Sequence, residues 1–75
     1  MSAAKLKRTQ DIDNVRAHIK DRIAEKFGTL SAYADKNGVS LQYVSMVLSG
    51  NKAVPAWMLA SFKINHVVQE YWEGK

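Results

Sequence analysis

Residues 34–47, Ala34-Asp35-Lys36-Asn37-Gly38-Val39-Ser40-Leu41-Gln42-Tyr43-Val44-Ser45-Met46-Val47, decide the fold. By spacing they read A-x-x-x-G-V-S-x-x-x-V-x-x-V, and each fixed position has its own geometric reason. Two helices that cross at about 90–120° must approach closely, and Ala34 is small enough to permit it. Gly38, four residues on, takes a positive φ without steric penalty and so makes the tight turn between them. Val39 plugs the underside of that turn. Ser40 offers its hydroxyl as the cap of the next helix, while Val44 and Val47, three apart, press it against its partner and an earlier helix. Ala34, Gly38, Val39, Val44 and Val47 are the expected framework of a helix-turn-helix unit.

Outward from this stretch the chain reads as further helices. Between Asp11 and Phe27, Ile12, Val15, Ile19, Ile23 and Phe27 recur every three or four residues and line one helix face. Thr9 or Asp11 caps its start, Asp11 and Asp13 suit the positive end of its dipole, and Gly28 closes it. The other face carries Arg16, Lys20, Asp21 and Glu25, an alternation that reads as solvated surface. Thr29 caps a second helix, Leu30 to Asn37, with Leu30 and Ala34 facing inward. The third runs from Leu41 to about Ser49, with Leu41, Val44, Val47 and Leu48 as its apolar stripe and Gly50 and Asn51 as its end. Pro55 fits the first turn of a fourth helix, whose buried side is Met58, Leu59 and Phe62, with Trp57 at the core edge.

In residues 65–72, Val67, Val68, Tyr71 and Trp72 fit an i, i+4 helix as well as a β-strand, and the richness in β-branched and aromatic side chains favours a short strand. A lone strand is unstable, so it needs a partner, and the expected one is the same strand of a second subunit. Val67, Val68, Tyr71 and Trp72 are thus candidate dimerisation residues. The domain organisation expected is a flexible basic arm over 1–10, a helix-turn-helix domain over 11–64 and a C-terminal tail over 65–75. Lys5, Lys7 and Arg8 give the arm its charge, placing it within reach of phosphates or a minor groove.

With the valines of the third helix inward, its opposite side presents Gln42, Ser45, Met46 and Ser49. Small polar residues here, in place of Glu and Lys pairs, fit a surface that enters a DNA major groove. The Gln42 amide suits adenine N6 and N7, the hydroxyls of Ser45 and Ser49 suit bases or phosphates, and Met46 suits a thymine methyl. Leu41 completes the base-reading set. Tyr43, Asn51, Lys52, Lys36 and the helix starts at Thr29 and Ser40 are the phosphate candidates. No acid lies between Lys36 and Glu70, as a surface approaching a polyanion requires.

At these residues the chain resembles the helix-turn-helix proteins of the phage repressor and Cro superfamily, over roughly residues 27–64. The run YVSMVLSGNK, Tyr43 to Lys52, is similar to the recognition helix and following loop of small prophage regulators. Asn37 departs from the pattern, since such proteins more often carry an apolar residue before the turn glycine. The resemblance implies a mainly α, compact four- to five-helix, lambda-repressor-like DNA-binding domain. It also implies a homodimer on a palindromic operator and transcriptional repression, with double-stranded DNA as the partner.

Composition narrows the rivals. The chain has 75 residues, 47 % hydrophobic and 24 % charged, with a net charge of +4. That is one globular domain with room for one core, inclined toward an anionic partner. Without cysteine there is no disulfide framework or thiolate site, and His18 and His66 lack metal-ligand spacing, so no metal is expected. No phosphate loop, nucleophile triad or paired carboxylates mark an enzyme, and no cofactor or small-molecule ligand is expected. The short apolar runs and the polar start predict a soluble, intracellular protein with no membrane association, and the resemblance implies a bacterial cytoplasmic or nucleoid location. Trp57, Tyr71 and Trp72 read as packing residues rather than as platforms for unpaired bases. The rival class is a protein-interaction module, such as an antitoxin-like or adaptor protein, in which the stripe or tail binds another protein.

Overall fold

The computed structural model describes residues 5–74. Asp11, in extended backbone, accepts a hydrogen bond from the Asp13 N–H and starts α1, Ile12–Lys26. Val15, Ile19 and Ile23 are fully buried along one face, with Ile12 and Phe27 packed at its ends. Thr29 caps α2, Leu30–Asn37, through the Ala32 N–H, and Ser40 caps α3, Leu41–Ser49, through the Tyr43 N–H. Between them Gly38 stands at φ 68°, and the Val39 N–H reaches back to Ala34 O at 3.0 Å, the six-to-one bond of a Schellman ending. Asn37 is exposed and donates to Tyr33 O at 2.8 Å, so its polarity is satisfied within α2.

The last helix, α4, is Ala56–Ser61. Pro55 is its N-cap, one position before the first turn expected from the sequence, with ψ 155°. Met58, Leu59 and Phe62 close the core from this side, against Val44, Val47 and the α1 stripe. Tyr33 was not among the expected core residues, yet it is fully buried. Its ring meets Phe27 edge-on at 5.0 Å, Phe62 at 5.5 Å and Trp57 at 6.3 Å. Trp57 is thereby held at the core edge, 38 % exposed.

The tail departs from the expected single strand. It folds back on itself as an antiparallel hairpin, β1 Ile64–Val67 and β2 Glu70–Glu73, with Asn65 opposite Trp72 and His66 opposite Tyr71. The strand partner is in the same chain. Val68 opens the two-residue turn at φ 59°, a conformation that glycine or asparagine normally supplies, and so nothing in the sequence marks the reversal. The arm also departs from expectation. Thr9 and Tyr71 exchange backbone hydrogen bonds at 2.9 and 2.8 Å, and the Glu73 N–H donates to Leu6 O at 3.1 Å, so residues 6–9 lie along the outer edge of β2. Arg8 is held there by Glu70 at 3.3 Å and over the Trp72 ring at 4.2 Å. The first four residues of the expected flexible arm, and Lys75 of the tail, lie outside the described residues.

Glu73 fastens this small β layer to α1. Its carboxylate accepts from Arg22 Nη2 at 2.7 Å, sits 2.9 Å from His18 Nε2 and lies 3.4 Å from the Leu6 N–H. His18, one of the two histidines, is thus occupied by an internal carboxylate. The result is a small, mostly helical domain of four helices and one two-stranded antiparallel sheet among the described residues. No described helix is long and apolar enough to cross a membrane.

Candidate nucleic-acid interface

Val44 and Val47 are fully buried, and α3 packs on both α1 and α2. This fixes the rotation of α3 about its axis. Its outer side then carries Gln42, Ser45 and Ser49, all exposed, and Leu41, 48 % exposed at the first helical position. Leu41 is therefore outside the core stripe, which starts at Val44. Met46 and Tyr43 are half-buried; Met46 is partly withdrawn from the surface, and Tyr43 packs against the core edge.

The polar groups differ in what they have left to offer. The Ser49 hydroxyl donates to Met46 O at 3.1 Å and accepts from Asn51 Nδ2 at 3.1 Å, so both side chains are engaged in ending the helix. Thr29 and Ser40 use their hydroxyls as caps. Gln42 and Ser45 are the exposed polar side chains of α3 that no such bond holds among the described residues. Lys36 and Lys52 are exposed and in no ion pair among the described residues.

Two cations that the sequence assigned to a solvated face of α1 belong to this region. Arg16 is only 14 % exposed at its side chain. Its Nε donates to Val47 O at 2.9 Å, Nη2 reaches Lys52 O at 3.4 Å, and Nη1 pairs with Asp13 at 3.0 Å. One guanidinium therefore ties α1 to the last turn of α3 and to the loop beyond it. The signal was in the sequence: Arg16 lies four residues after Ile12 and three before Ile19, in register with the apolar stripe. Lys20, exposed, lines a depression of about 180 Å³ with Leu30, Ser45, Leu48 and Ser49. It brings a positive charge beside α3, which carries none of its own.

The candidate dimerisation residues are split by the hairpin. Val67 and Val68 are 55 % and 84 % exposed at its tip, whereas Tyr71 packs toward the core, stacked on His66 at 4.3 Å, and Trp72 lies under Arg8. Among the described residues no cluster of side chains has metal-binding spacing. Compared with protein-family models, curated proteins and solved structures, the chain finds no match.

Proposed function

We propose that the chain is a sequence-specific duplex-DNA-binding regulator of the helix-turn-helix kind, with α3 entering the major groove and α2 crossing above it. One observation carries this reading. The outward side of α3 is a short rod of amide, hydroxyl and apolar groups, in a stretch without a single acid between Lys36 and Glu70, flanked by Lys20, Lys36 and Lys52, which form no ion pair among the described residues. Such a surface can approach phosphates and still discriminate bases.

The regulator acts as a homodimer and represses by occluding a promoter. Support for the dimer is the outer edge of β1, unpaired among the described residues, next to the exposed Val67 and Val68. Two-fold symmetry then predicts a palindromic site with half-sites about 34 Å apart. The test is selection from a random duplex pool, followed by binding of variants across about 50 to 200 mM salt. Gln42→Ala should lose about 1–3 kcal/mol on the selected site and far less on random duplex. Lys52→Ala should weaken both alike and flatten the salt dependence. Absence of salt-dependent duplex binding would overturn the reading in favour of a protein partner.

A further inference from the structure

The next step rests on the DNA-binding reading and concerns which bases the first turn of α3 meets. Guanine is read most often by a bidentate arginine on O6 and N7. The chain has three arginines, Arg8, Arg16 and Arg22. Arg16 and Arg22 are committed inside the fold, and Arg8, 59 % exposed at its side chain, lies at the outer edge of β2. Arg8 pairs with Glu70 over the Trp72 ring, and Arg16 holds Val47 O and Asp13. Arg22 binds Glu73 at 2.7 Å and Glu25 at 2.9 Å with its side chain 10 % exposed. Between Leu41 and Ser49 there is no lysine either. Lys20, the cation that lines a depression with α3, meets it at Ser45, Leu48 and Ser49.

What the first turn does present is Gln42, whose amide has no hydrogen-bond partner among the described residues, and Leu41, a large aliphatic side chain left 48 % exposed. The C5-methyl of thymine is the one apolar group that the four bases display in the major groove. Met46, the methyl-reading candidate from the sequence, is half-buried, whereas Leu41 is free to make that contact. We propose that the first turn of α3 is an A·T reader, in which Gln42 pairs with an adenine and Leu41 packs on the methyl group of a neighbouring thymine. Leu41 is then a specificity-determining residue whose target is a single methyl group.

The experiment uses the full chain and synthetic duplexes. The consensus is selected from random duplex at about 50 mM salt, and each thymine of the selected site is then replaced singly by deoxyuracil, which removes only the methyl. The expected result is A·T at the positions facing the first turn and, for the unaltered protein, about a four-fold loss of affinity at one thymine per half-site, the effect of one buried methyl. Leu41→Ala should bind the thymine and uracil duplexes equally while keeping its helical circular dichroism, since Leu41 lies outside the core. A consensus with G·C at those positions, or equal binding of thymine and uracil duplexes by the unaltered protein, would overturn the A·T reader and leave DNA binding standing. Failure to select any duplex would overturn both.

Discussion

Tyr33 shows how much one side chain decides and how little its letter reveals. Among the described residues its side chain is the largest fully buried one, packed among Phe27, Phe62 and Trp57, and its buried hydroxyl has no hydrogen-bond partner. Burial pushes the phenol pKa up, and the nearby Ser61 hydroxyl draws it partly back without completing a bond. A buried, unsatisfied hydroxyl opposes folding, so Tyr33→Phe keeps the ring contacts and removes the opposition. The variant should be as stable as the wild type or more stable by up to about 1 kcal/mol, read as the midpoint of urea unfolding. A loss above that would show that the hydroxyl has a partner. Tyr33 stands in the middle of α2, three residues after Leu30 and on the same inward face, so spacing permits its burial while its polar hydroxyl argues against it. Ala34, beside it, was legible because only a small residue fits where α2 and α3 cross.

Elements were legible where a local rule was obeyed. Asp11, Thr29 and Ser40 cap the helices that their side chains predict, the first three helices were placed to within one or two residues at their ends, and the fourth begins directly after Pro55. The hairpin was not legible, because Val68 breaks the local rule at its turn. A β-branched residue in the left-handed region is held there by the pairing of β1 with β2, against an intrinsic penalty of about 1–2 kcal/mol. Val68→Gly relieves that penalty, partly offset by the greater freedom of glycine in the unfolded chain, and should raise stability by about 1 kcal/mol, some 4–8 °C in Tm. An unchanged or lower Tm by calorimetry would mean that the turn carries no strain. Among the helices, α3 depends on α1 through Arg16. Arg16→Ala removes a charge-assisted bond to Val47 O and should cost about 2 kcal/mol. Arg16→Lys should not restore it, since an ammonium lacks the fork that spans Val47 O, Lys52 O and Asp13. Full rescue by lysine in thermal unfolding would reduce Arg16 to a simple point charge.

Across the fold, one carboxylate joins the β layer to α1, beside the apolar contacts that Ile64 and Tyr71 make with the core. Glu73 on β2 takes Arg22 and His18 from α1 and the Leu6 N–H from the arm, and Arg22 is in turn held by Glu25. Desolvation alone would push the Glu73 pKa up. The hydrogen bond and charge of Arg22, with the charge of His18 and the Leu6 N–H, outweigh it and hold the carboxyl below its ordinary value of 4.5. The same contact raises the Arg22 pKa, so both partners stay charged. Because the folded pKa of Glu73 is depressed, the network contributes its full stability above the unfolded value and loses it as pH falls through the folded one. Urea unfolding followed from about pH 7 down to about pH 2 should therefore show a midpoint that declines below the ordinary carboxylate range. Glu73→Gln keeps an acceptor but leaves Arg22 short of a charge in a nearly buried site, so it should be less stable at neutral pH by about 2 kcal/mol. Its acid limb should also be shallower than that of the wild type, the gap between the two proteins closing as the pH falls. Parallel limbs, with a constant gap down to the lowest pH, would show that other carboxylates carry the acid sensitivity and that Glu73 is held by its hydrogen bonds alone.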